Sequence, residues 1–151
     1  MTDLTDFTDS YVRMSKAFRS VTAAAMSALG LHPGQHLLLT CLADEDGQTP
    51  GAIAAAIRVS VPTVVKMTSR MESVGLVLRR RDERDRRLVQ VHLTPAGRDL
   101  IAPVRSKLAE IEARLTAGFS AEERYSLLSF MGRISVNADA LQREWNAEPI
   151  E

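Results

Sequence analysis

The sequence predicts a mainly α chain carrying one small β-hairpin, and three observations predict it. Residues 52–94, AIAAAIRVSVPTVVKMTSRMESVGLVLRRRDERDRRLVQVHLT, read as two short helices, a tight connection at Arg58-Val59 and two strands around a charged loop. Long 3,4-spaced apolar seams lie on either side of that stretch. Basic residues concentrate within it. Helix, turn, helix and basic hairpin is the outline of a winged helix-turn-helix. The flanking seams add a helical region formed by the N- and C-terminal helices.

Within this stretch the first helix spans residues 50–57 and the second residues 60–73. Ser60 is a suitable N-cap, and Pro62 sits in the first turn, where its missing N–H costs nothing. Gly75 ends the second helix, since glycine takes the left-handed conformation past a helix terminus. Val64, Met67, Met71 and Val74 form its expected buried stripe. Thr63, Lys66 and Arg70 share the other side, flanked by Ser60, Pro62 and Ser69. A hydroxyl and two cations suit base edges and phosphates, although an isolated pair of cations on a helix is more often a solvated face.

The hairpin changes that balance. Strands are expected over residues 77–80 and 88–93, with Val89, Val91 and Leu93 on one side of the second and Gln90 and His92 on the other. The loop between them carries Arg81, Arg84, Arg86 and Arg87 interleaved with Asp82, Glu83 and Asp85. Interleaved acids can hold guanidinium groups by bidentate pairing, and an oriented arginine at a loop tip suits a narrow minor groove. Taken alone, the loop is equally a solvated charge run or a patch for an acidic partner.

This segment resembles the DNA-binding lobe of the MarR (multiple antibiotic resistance regulator) family. The resemblance rests on Arg70-Met71-Glu72-Ser73-Val74-Gly75-Leu76-Val77, on Asp82-Glu83-Arg84-Asp85-Arg86-Arg87 and on Val91-His92-Leu93-Thr94-Pro95-Ala96-Gly97. It implies that Arg87 enters a minor groove and that Asp85 orients it, with Arg84 and Arg86 beside them. It also implies a homodimer on double-stranded DNA, acting as a repressor that answers to a small aromatic or anionic effector. Such an effector would bind between the DNA lobe and the helical region, where His36, Arg13 and Arg19 are the candidate contacts.

Composition sets the bounds. The chain has 151 residues, 45% hydrophobic and 25% charged, the size of one ordinary domain or of one lobe with an oligomerisation arm. No apolar run approaches the ~18 residues of a membrane span. The start, MTDLTDFTDS, is acidic and shows no export signal. The single cysteine, Cys41, excludes an intrachain disulfide framework and fits a reducing cytoplasm. Net charge is zero, with 19 basic and 19 acidic residues, but residues 58–98 hold ten basic against four acidic side chains, a surplus of six. The segments before and after each carry a deficit of three. That is an electrostatic footprint confined to one lobe.

The remaining chain supplies the seams. In the helix over residues 4–29, Phe7, Tyr11, Met14, Phe18, Val21, Ala25 and Ala28 alternate by four and three. Gly30 and Pro33 break it, and a helix over residues 34–43 follows. Thr94 caps and Pro95 opens a helix over residues 94–118, whose seam is Ile101, Val104, Leu108, Ile111 and Leu115 and which Pro103 should bend near Asp99. Ser120 and Glu123 form a capping box for the last helix, whose seam is Leu127, Met131, Ile134, Ala138, Leu141 and Trp145. The expected division is residues 1–33 and 95–146 for dimerisation, 34–94 for DNA, and a frayed tail at 147–151. A single chain covers three such seams with difficulty, so a dimer interlocking the terminal helices is expected rather than a monomeric bundle.

No metal or cofactor is expected. His32 and His36 stand four apart, but Pro33 separates His32 from the helix that holds His36. Cys41 lies in an apolar helix, the setting of an inert buried thiol. No phosphate loop, nucleophile–base pair or paired catalytic carboxylates appear, so an enzyme is not expected. The competing reading is a helical protein–protein module with a basic hairpin, which a mobility shift on DNA would separate from a DNA binder.

Overall fold

The computed structural model describes residues 4–147; of the expected tail, residues 148–151 lie outside the described residues. The elements run α1 (Leu4–Ser27), α2 (Gln35–Asp44), α3 (Pro50–Ile57), α4 (Val61–Ser73), β1 (Val77–Arg81), β2 (Val89–Leu93), α5 (Pro95–Asp99), α6 (Ile101–Leu115) and α7 (Ala121–Ala147). One compact unit extends to Ile111 and a second begins at Glu112.

The first unit is built on one core. Met26 and Leu31, Leu38, Leu39 and Leu42 of α2, Ile53 of α3, Val64 and Met71 of α4, Val77 of β1, Val91 and Leu93 of β2 and Val104 of α6 pack into a single buried cluster. α3 and α4 turn through 109°, the angle range of a helix-turn-helix. β1 and β2 are antiparallel, pairing Val77 with Leu93, Arg79 with Val91 and Arg81 with Val89.

Local chemistry sets the boundaries. Ser60 caps α4 by accepting from the Thr63 amide at 3.3 Å, and Gly75 follows the helix at φ +76°. Thr94 caps α5 by accepting from the Gly97 amide at 3.1 Å. The helix expected over residues 94–118 is broken at Leu100, one residue past Asp99. The cause is Pro103, which has no N–H for the Asp99 carbonyl.

Two expectations about burial are corrected. Val74 is 68% exposed, and Thr68 takes its place in the stripe at 1%. Val74 lies past the last turn of α4 and points out of the core, whereas Thr68 stands four after Val64 and three before Met71. Its hydroxyl is satisfied inside the helix by the Val65 carbonyl at 3.0 Å. Val89 is exposed, unlike Val91 and Leu93, because it pairs with Arg81 at the loop end of the hairpin, beyond the core.

The seam of α1 is left uncovered. Phe7, Tyr11, Met14, Phe18 and Val21 are all exposed, while Thr22 and Met26, toward the end of the helix, are buried. In the second unit the capping box forms as expected: the Ser120 amide donates to Glu123 at 2.7 Å and the Glu123 amide to Ser120 Oγ at 3.1 Å. α7 buries none of its described residues and exposes Met131, Ile134, Leu141 and Trp145.

Gly97 is the tightest point. A Cβ there would lie 2.1 Å from the Leu76 carbonyl oxygen and 3.3 Å from the Leu93 side chain, and that same carbonyl accepts from the Thr94 amide at 3.1 Å. Gly97→Ala should therefore separate α5 from the root of the hairpin and destabilise the chain by about 1–3 kcal/mol or more. Urea unfolding measures this; a wild-type midpoint would show that the approach is not a constraint.

Candidate nucleic-acid interface

The second helix of the lobe, α4, is presented by its cap and its turn. Thr49 caps α3, accepting from the Ala52 amide at 3.2 Å, and Arg58 closes α3 in the left-handed conformation at φ +57°. α4 then buries Val64, Thr68 and Met71 and exposes Pro62, Thr63, Lys66, Ser69 and Arg70 together, with Ser60 at its start. The Thr63 hydroxyl sits 2.7 Å from Ser60 Oγ, so part of its hydrogen-bonding capacity is engaged in the cap. Lys66 and Arg70 have no ion-pair partner among the described residues. Val61 and Val65 are also exposed on this helix, at 45% and 44%. Val65 lies off the 64, 68, 71 stripe, whereas Val61 continues its spacing at the first residue of the helix.

The wing loop is held by its acids, in a way that corrects the expectation. Asp82 accepts from the amides of Arg84 at 2.7 Å and Asp85 at 2.8 Å, and from the Gln90 side chain at 2.9 Å. Asp85 accepts from the backbone amide of Arg87 at 3.0 Å, not from its guanidinium. The reason is reach: a carboxylate two or three residues before an unpaired amide closes an Asx turn at once, and the loop's amides have few other acceptors. Those amide bonds, the Asp85 amide first, hold the Asp82 carboxyl below its ordinary pKa. The guanidinium of Arg81 donates to the Arg86 carbonyl at 3.2 Å. Arg84, Arg86 and Arg87 are exposed, and among the described residues none has an ion-pair partner. Asp85 thus fixes the backbone from which Arg87 projects.

Glu72, which sequence reasoning left unassigned, ties the wing to α4. Its carboxylate accepts from the Arg79 amide at 3.0 Å and from Arg79 Nε at 2.8 Å, with Nη2 as a third donor. The side-chain and backbone bonds from Arg79 hold its carboxyl below the ordinary value. The only sequence signal is a Glu and an Arg either side of the Gly75-Leu76-Val77 step.

The three candidate effector contacts are not joined. His36 is buried on α2, its Nδ1 has no hydrogen-bond partner among the described residues, and burial lowers its pKa. Arg13 and Arg19 are exposed on α1, and among the described residues no hydrogen bond or ion pair links the three. His32 precedes α2, where its amide donates to Gln35 at 3.0 Å. Among the described residues no three His, Cys, Asp or Glu side chains converge as a metal site would require. Cys41 is half-buried, and burial, ahead of its other surroundings, raises its thiol pKa.

A helix-turn-helix with exposed cations on its second helix, followed by a wing with three more, is the architecture of the winged helix-turn-helix class. Residues 31–89 match the model of the MarR family. A protein of Thauera aromatica described as a transcriptional regulator for the hcr operon is 28% identical over 118 residues, covering 78% of this chain and 71% of that one. The repressor CouR, solved on a 23-mer DNA duplex, is 25% identical with a TM-score of 0.78, over 89% of this chain and 99% of its own. A MarR family regulator from Listeria monocytogenes, solved with a 26mer DNA, shares the fold at a TM-score of 0.83 and 18% identity, over 100% and 99%. Over its helix-turn-helix and wing the chain is thus similar to MarR-family proteins, and the relatives it matches are described as transcriptional regulators. No single described helix is long and apolar enough to cross a membrane.

The Glu72 clamp has a pH signature. Its folded pKa lies below the ordinary 4.5, so its contribution is complete above about pH 4.5 and is lost as the pH falls through the lower folded value. Hydrogen-exchange protection of the Arg79 amide should hold from pH 7 to 5 and fall only below that range, and Glu72→Ala should remove it at every pH. Equal protection in the variant would show that the clamp does not hold β1.

Proposed function

We propose that this chain is a cytoplasmic, ligand-responsive repressor that binds an inverted-repeat operator as a homodimer. Two copies of α4 occupy successive major grooves, roughly 34–36 Å apart, and each wing places Arg87 in the adjoining minor groove. The observation that carries this reading is the set of unpaired cations: Lys66 and Arg70 on α4, and Arg84, Arg86 and Arg87 on the wing. Lys66, Arg70, Ser69 and Thr63 serve base edges and phosphates, with Ser60 and Pro62 setting the start of the helix. Exposed Val65 offers a methyl surface of the kind that meets thymine. The apolar seams exposed on α1 and on α7 support dimerisation, since patches of that kind mark interaction surfaces. Repression follows if a bound dimer occludes a promoter. A small aromatic or anionic effector acting near His36, Arg13 and Arg19 completes the reading; the buried Nδ1 of His36 is the feature that supports it.

Replacing both Met131 and Ile134 by Asp places charges on the α7 seam at a cost of several kcal/mol if that seam is buried between copies. Sedimentation should then show monomer or unfolded chain. A dimer of unchanged mass would exclude this interface.

The wing and the helix separate by salt and by sequence. Arg87→Ala should weaken binding and make the log–log salt dependence shallower by roughly 0.9 per lost contact in each subunit, with major-groove base preference intact. Asp85→Ala should act the same way more weakly, by loosening the Arg87 backbone. Lys66→Ala should relax preference at one position per half-site, at about 1–3 kcal/mol. Titrations at three salt concentrations on a selected palindrome and its mismatched versions measure all three. Wild-type affinity and slope in Arg87→Ala would remove the wing from the interface.

A further inference from the structure

The turn between α2 and α3 is tied to three elements at once. Asp44 pairs with Arg105 of α6 at 2.9 Å. Asp46 accepts from the Leu93 amide of β2 at 2.9 Å and from Arg98 of α5 at 2.6 Å, with His92 Nδ1 at 3.7 Å. Gly47 follows at φ +76°, where a Cβ would lie 2.8 Å from the His92 imidazole. The Gln48 carbonyl then accepts from the Val91 amide at 2.8 Å. Two alternate amides of β2 are thus held from this one turn, one by a backbone carbonyl and the other by a carboxylate standing where a third strand would supply its next carbonyl. Gln48 is itself anchored, its side chain donating to the carbonyls of Cys41 at 3.3 Å and Glu45 at 2.7 Å.

We propose that Asp46 is a positioning residue for the wing: its carboxylate fixes the root of β2 against the turn that leads into α3, and so sets where the wing arginines stand relative to α4. The geometry singles it out because the wing has two attachments beyond its core contacts. Glu72 holds β1 from the end of α4, and the turn at Asp46 holds β2 from the start of α3. With both strands fixed to the two helices of one motif, the wing tip has a fixed reach. Burial opposes charge on Asp46, but the Leu93 amide and Arg98 outweigh it and keep the carboxyl below its ordinary pKa. The group therefore acts as an anion at neutral pH. This inference rests on the reading that the wing contacts DNA.

Charge gives the test its sign. Removing an anion from a DNA-binding lobe favours binding by simple electrostatics, so a loss of affinity in Asp46→Ala reports lost geometry. Five proteins are compared on one selected palindromic duplex at three salt concentrations: wild type, Asp46→Ala, Asp46→Asn, Arg87→Ala and the Asp46→Ala, Arg87→Ala double variant. Asp46→Ala should bind on the order of tenfold more weakly, within the span found for coupled side chains, with a shallower salt dependence although no contacting cation was removed. Asp46→Asn keeps an acceptor for the Leu93 amide and should recover part of the loss. In the Arg87→Ala background, Asp46→Ala should change affinity less than about twofold. Thermal melting checks folding, and if Asp46→Ala does not fold, the cycle is run with Asp46→Asn. Wild-type affinity in the folded Asp46 variant, or the same loss with and without Arg87, overturns the proposal. Wild-type affinity in Arg87→Ala alone instead overturns the reading on which it rests.

Discussion

A two-stranded hairpin with five residues on each side is not stable by itself in water, and the wing depends on how its root is held. Val77, Val91 and Leu93 enter the core beneath α2, α3 and α4, and burying each is worth about 1.5–3 kcal/mol. The polar ties are of a different size. Arg79–Glu72 and Arg98–Asp46 keep substantial exposure, at 40%/34% and 55%/29% of their side chains, and pairs of that kind contribute about 0–1 kcal/mol. Apolar burial therefore keeps the hairpin folded, and the ion pairs decide where it points. The division matters because the outer half, from Arg80 to Val89, has no core beneath it and inherits its direction from the root.

The same logic explains the wing loop. Residues 82–87 contain three acids and three arginines, so the loop has no surplus of charge. What it has is separation. Asp82 and Asp85 are short and bonded to backbone amides, which draws their charge inward, while Arg84, Arg86 and Arg87 project from that backbone.

Whatever depends on residues within one turn of each other was legible in the sequence. The Ser60, Thr94 and Ser120 caps, the break imposed by Pro103 and the stop at Gly75 are local chemistry, and each appears where its residues predict. The failures came where position along the fold overrides a pattern. Val74 continues the spacing of the α4 stripe but falls after the helix has ended, and Val89 continues the alternation of β2 but lies past the core. The carboxylates were hardest to assign. The charge pattern pairs Asp85 with a guanidinium, yet an unpaired amide two residues away is the nearer donor.

Glu72 and Asp46 were invisible for a related reason. Their partners are 7 and 47 residues away, and nothing in local spacing distinguishes them from solvated surface acids. Both sit at helix boundaries of the helix-turn-helix, where the chain changes direction and exposes amides or strand edges that need acceptors. A carboxylate at such a point can satisfy a distant backbone donor and an arginine together, as both residues do. The zero net charge of the chain follows the same economy. Acids of the lobe, Asp46 among them, orient its backbone, and the basic surplus of residues 58–98 is carried by α4 and the wing.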